Sequence, residues 1–177
     1  MNLAELLREE TSRLNTDFVA KMVFENPPLF SELWKIFMLN EEPVSRRAAW
    51  VVDVVTEKHP DWITSLVEEL VDRIPSFCHD GMKRHSLHIL LRSPLPENKL
   101  GEITGFCFEW LMKPGEAVAT KMYSMEILYL ISELEPDLKP ELADSIRMQM
   151  IEGSPGIKCC SKRILEKLDR DAIHLRK

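Results

Sequence analysis

The sequence predicts an all-α fold, a solenoid of about four stacked helical hairpins, on three observations. Only six glycines occur in 177 residues, and no alternating apolar and polar run is bounded by Asn-Gly or Asp-Gly turns. Eleven prolines cut the chain into pieces of helical length, since proline fits a first helical turn and disrupts an interior. A basic residue recurs at Arg46, Lys83, Lys121 and Lys158, at intervals of 37, 38 and 37.

The breaks place the elements in order. A first helix over 2–13 mixes charge with leucine, and a second over 16–25 stops before Pro27 and Pro28, which open a third over 28–39. Pro43 introduces 44–58, and Pro60 opens 61–73, which ends at Pro75. A helix over 80–92 stops before Pro94 and Pro96. The next, 97–112, ends at Pro114, and its Gly101 and Gly105 lower helix propensity, which suggests close approach by a neighbouring helix. The last three, 116–134, 139–152 and 156–169, are set by Pro136, Pro140 and Pro155. Connectors this short make successive helices antiparallel neighbours, which either close into a bundle or stack into a solenoid.

Repetition favours the solenoid. Three residues after each aligned base stands a small side chain, Ala49, Ser86, Ser124 or Ser161. Six residues after it stands a β-branched aliphatic, Val52, Ile89, Ile127 or Ile164. The seventh position is Leu90, Leu128 and Leu165 in three rows but Asp53 in the first. The preceding helices match more loosely, with Pro-Asp opening both Pro60 to Leu70 and Pro136 to Ile146.

On these residues the chain resembles the HEAT-repeat family of armadillo-type proteins over 28–169. Residues 1–27 then read as an N-terminal cap and 170–177 as a C-terminal tail of one domain, 1–177. The resemblance implies a right-handed α-α superhelix in which second helices line a concave face, an acid sits in the turn and a base opens the second helix. Glu41 or Glu42 before Arg46, Asp80 before Lys83, Glu116 before Lys121 and Glu152 before Lys158 fit that pattern and imply a ladder of charges between repeats.

Composition narrows the function. With 45% hydrophobic and 29% charged residues the chain can build a core, and a formal net charge of -6 works against broad binding to nucleic acid or an anionic membrane. Residues 1–14 hold no apolar run that would make a signal peptide or membrane span. Cys78, Cys107, Cys159 and Cys160 contain no C-x-x-C pair, so reduced thiols and a cytoplasmic location are expected. Nucleophile-elbow, zincin, Walker A and dinucleotide motifs are all missing, so no catalytic residue and no cofactor is assigned.

Two residue sets remain. At 100° per residue the positions one and five after the aligned base point away from the core stripe, namely Arg47 and Val51, Arg84 and His88, Met122 and Glu126, Cys159 and Arg163. With Arg92 one turn beyond His88, the set Arg47, Arg84, His88 and Arg92 forms a basic strip on the concave side that could receive an acidic peptide or a phosphate group. A solvated charged face is the ordinary explanation. Trp50 and Asp53 form the second set, because HEAT-like alkylpurine DNA glycosylases use aromatic residues with an Asp around a damaged base. His85 and His88 share a helix face but lack further ligands at zinc spacing, so no metal is assigned. The first reading is therefore a non-catalytic scaffold for a protein or peptide, and the alternative is a DNA-repair protein. Oligomeric state is not encoded in any of these patterns. Core packing is expected for at least three of Trp34, Trp50, Trp62 and Trp110, and for Cys159 and Cys160.

Overall fold

Prolines, caps and one left-handed residue decide where each helix begins and ends. The computed structural model describes residues 2–9 and 11–174. Among them are ten α-helices and no strand: α1 (Leu3–Glu9), α2 (Arg13–Glu25), α3 (Leu29–Met38), α4 (Val44–Lys58), α5 (Val67–Arg73), α6 (Asp80–Leu91), α7 (Leu100–Met112), α8 (Val118–Leu134), α9 (Lys139–Glu152) and α10 (Pro155–His174). The break between α1 and α2 falls earlier than the spacing suggests. There Ser12, in extended conformation, accepts from the backbone N–H of Asn15 and starts α2 at once. Asn40 closes α3 at φ 57°, a conformation asparagine tolerates, and its amide donates to the Ser76 carbonyl at 3.3 Å. The segment Pro60–Leu66 is a 3-10 helix that leads into α5, and α10 continues to His174 where a tail had been expected from 170. Of that tail, residues 175–177 lie outside the described residues.

The helices group into two compact units, residues 1–96 and 97–177. In the first, α1 and α2 pack with two hairpins, α3 with α4 and α5 with α6, and α4 lies at the centre against α1, α2, α3 and α6. Its Val44, Ala48, Ala49, Val51, Val52 and Val55 are all buried. Val51 had been expected to face outward; it is fully buried because α1 and α2 cover that side of α4. The hairpins are joined at separations close to one repeat. The Trp34 indole donates to Glu69 at 2.8 Å, Arg73 donates to the Met38 carbonyl at 2.7 Å, and the Phe37 and Phe77 rings stack at 5.7 Å.

The second unit repeats the scheme with α7 against α8, α9 against α10, and the second helices α8 and α10 side by side. Arg163 of α10 pairs with Glu126 of α8, and the Ser161 hydroxyl reaches the Met125 sulfur at 3.7 Å. The small residues Ala49, Ser86, Ser124 and Ser161 all have zero exposure, and Val52, Ile89, Ile127 and Ile164 are equally buried. Full burial of one such aliphatic is worth roughly 1.5–3 kcal/mol. The aligned positions therefore mark where one hairpin lies on another.

At two of its rungs the expected ladder takes a different form. Arg46 pairs with Glu42 of its own turn at 3.0 Å, and Lys121 reaches the next hairpin at the Gln149 amide, 2.8 Å away, so an uncharged group completes that rung. Trp34 and Trp110 are buried while Trp50 and Trp62 are half-buried, one fewer in the core than expected. Cys107 and Cys160 are buried thiols, whereas Cys78 and Cys159 are exposed. At Gly101 and Gly105 a methyl group would meet nothing within 4 Å, which overturns the close-approach reading.

Two stability predictions follow from these contacts. The buried Ser45 hydroxyl donates to the Ile36 carbonyl at 2.6 Å and accepts from the Glu41 N–H at 2.9 Å, tying the α3–α4 turn. Ser45→Ala should cost about 1–3 kcal/mol in urea unfolding, since a buried carbonyl and a part-buried N–H lose their partner. Gly105→Ala should raise the unfolding free energy by about 0.5–1 kcal/mol in the same measurement.

Candidate functional site

The departure at Asp53 becomes intelligible once α4 and α6 lie side by side. Where other rows carry leucine, α4 places a carboxylate that is 8% exposed, and a buried charge must be paired to persist. Its partners come from α6, about one repeat later. His85 Nδ1 donates to Oδ2 at 2.8 Å, His88 Nδ1 lies 3.0 Å from both oxygens, and Arg92 Nη2 donates to Oδ1 at 2.7 Å. Arg92 also donates to the Asp53 carbonyl at 3.1 Å and lays its guanidinium along the His88 ring. Both carboxylate oxygens are fully engaged.

On the other side of His85 the same two helices leave an open pocket of about 330 Å³. Arg46, Arg47 and Arg84 line it, together with Trp50 and His85, whose rings lie 6.0 Å apart with planes 17° from parallel. The start of α6 adds Asp80 and Gly81, its N-cap adds His79, and Thr11 closes the wall from the α1–α2 connection. Arg47 is held in place by bonds from Nη1 to the Leu7 and Arg8 carbonyls at 2.7 and 2.8 Å, which satisfy the C-terminal end of α1. Arg46 crosses Gly81 so closely that a methyl group there would stand 2.9 Å from its Cδ. Arg84 is exposed and brings one Nη2 to His85 Nε2 at 3.0 Å.

The structure thus separates the predicted strip into two parts. Arg47 and Arg84 share the pocket with Trp50, whereas His88 and Arg92 gather on Asp53. Arg46, read from sequence as a repeat marker, and His79 in the turn were missed as pocket residues. The partners of Asp53 could have been found by adding one repeat to its number, which lands between His88 and Arg92. His85 and His88 do share a face, and both turn Nδ1 to the same carboxylate. Among the described residues no three histidine, cysteine or acidic side chains are placed to hold a metal ion.

Burial alone would raise the Asp53 carboxyl, but hydrogen bonds from His85, His88 and Arg92, with the charge of His88, reverse this and hold it well below the ordinary carboxylate range. Burial lowers His85 below its ordinary 6.5; the bond and charge of Asp53 oppose this, while the charges of Arg84 and His88 add to it. The sign of the linkage is the same for both groups. An unfolded chain protonates His85 near pH 6.5, and Asp53 near pH 4, before the folded chain does, so stability falls on acidification. The unfolding free energy from urea titrations should drop from pH 7 to pH 5 with a slope of up to about 1.4 kcal/mol per pH unit within the His85 window, and again below about pH 4. His85→Gln should flatten the first of these declines.

The family model described as HEAT repeat domain matches residues 3–168. No curated protein and no solved structure matches the chain. HEAT-repeat domains commonly mediate protein interactions. The recurring helical hairpin and the match across nearly the whole length agree: this chain belongs to the HEAT-repeat family.

Proposed function

We propose that the chain is a non-catalytic interaction scaffold that holds an acidic protein segment against the surface formed by α4 and α6. One observation carries this reading. In a chain of net charge -6, three arginines and a half-buried tryptophan converge on one pocket whose lining, among the described residues, contains a single acid, Asp80. Arginine suits such contact because its planar fork engages a carboxylate through two parallel bonds. Arg84 is the principal contact, as an exposed side chain with donors to spare, and Arg47 supports it from a fixed position. His88 and Arg92, committed to Asp53, act by holding α6 against α4.

The glycosylase-like reading is weaker on two counts. Asp53 has both oxygens hydrogen-bonded within the protein, and 23 basic against 29 acidic residues supply few phosphate contacts. A cytoplasmic setting fits four unpaired cysteines, two of them exposed. Among the described residues no helix is long and apolar enough to cross a membrane.

The test uses a fluorescein-labelled deca-glutamate peptide and a labelled DNA duplex, titrated with the full chain at low and high salt. Peptide binding should weaken with salt, and Arg84→Glu should lower it by at least about tenfold, the loss of one charge-assisted contact. Binding that ignores salt and the substitution would overturn the reading. A duplex bound more tightly than the peptide would move the protein to the nucleic-acid class.

A further inference from the structure

We infer that the pocket between α4 and α6 receives a phosphorylated side chain of the bound protein segment, an inference that rests on the scaffold reading above. Charge is the first argument. Among the described residues the lining carries three guanidinium groups and one carboxylate, with Glu42 paired to Arg46 beside it, so the surplus is positive and open to a phosphomonoester of about -1.5 to -2 near pH 7 with three acceptor oxygens. A glutamate brings one charge and two oxygens, one acceptor fewer than the phosphate.

The second argument is the supply of donors. Arg84 spends one Nη2 on His85 and Arg46 spends Nε on Glu42, so among the described residues their other N–H groups have no protein partner. Arg47 is anchored through Nη1, and its buried Nε–H is closed off from the pocket and adds nothing to this supply. An anion with three oxygens could answer donors that the protein itself does not.

Preorganisation is the third. Arg47 is fixed on the carbonyls of α1, His85 is fixed by Asp53, and Gly81 leaves room for Arg46 to lie flat across the start of α6. Side chains already held in place lose little freedom on binding, which favours a compact anion over a mobile charged tail. Trp50 supplies an apolar wall for the carbon atoms that carry the phosphate.

The experiment follows the indole N–H signal of Trp50 by NMR, identified through its absence in Trp50→Phe. The full chain is titrated with an acetyl-Gly-phosphoserine-Gly amide, its serine and glutamate counterparts, inorganic phosphate and a short DNA duplex. The phosphoserine peptide should shift the signal saturably and bind at least about tenfold more tightly than the glutamate peptide, as one further charge-assisted bond implies. Arg84→Gln, at an exposed position, should remove most of that advantage. Equal affinity for the phosphoserine and glutamate peptides would overturn the phosphate inference and leave the acidic-segment reading standing. A signal unmoved by every peptide would overturn both. Inorganic phosphate bound as tightly as the peptide would make this a free-anion site, and tighter binding of the duplex would assign it to nucleic acid; either result overturns the inference.

Discussion

Within each of the two units a helical hairpin has an apolar flank that it cannot cover by itself, and the neighbouring hairpin of the same unit covers it. The contacts show the period directly: Trp34 meets Glu69, Met38 meets Arg73, Met125 meets Ser161 and Glu126 meets Arg163, each pair 35 to 37 residues apart. Removal of one hairpin would strand the flanks of its neighbours. The zero exposure of Ala49, Ser86, Ser124 and Ser161 follows from this, because two second helices approach closely only where the side chain between them is small.

Within that regular packing, Asp53 is an exception that changes the character of the α4–α6 contact. A leucine there would stabilise without direction. The carboxylate instead demands donors at fixed distances, and His85, His88 and Arg92 meet the demand from a single helix. A buried ion pair contributes less net stability than its Coulomb energy suggests, because desolvation offsets much of the gain. Its effect lies in geometry. It fixes how α6 is set against α4, and with it the orientation of the His85 ring beside Trp50.

The helices and their boundaries were legible because proline and glycine act locally, and the repeat was legible because packing imposes one small and one β-branched residue per unit. The second helices were misread at Val51 and Arg47 for a reason that no periodicity contains. Helices α1 and α2 fold over the side of α4 that an internal repeat would leave open, burying Val51 and drawing Arg47 to the carbonyls of α1. Gly101 and Gly105 show the converse limit. Their spacing permits close packing, but no packed atom lies within 4 Å of where a Cβ would stand at either. The basic strip was half legible: the residue types were right, while their allotment between Asp53 and the pocket depended on side-chain directions that spacing leaves undetermined.

The bonds from Arg47 to the end of α1 make the N-terminal segment a part of whatever the pocket does. Thr11 belongs to its wall, and one of its arginines is aimed by carbonyls some forty residues earlier in the chain. If the proposed anion binds at Arg47, occupancy of the pocket and docking of α1 would be thermodynamically linked, each strengthening the other by the same factor. A helix of seven residues, too short to persist alone in water, would then report on the pocket through its docking.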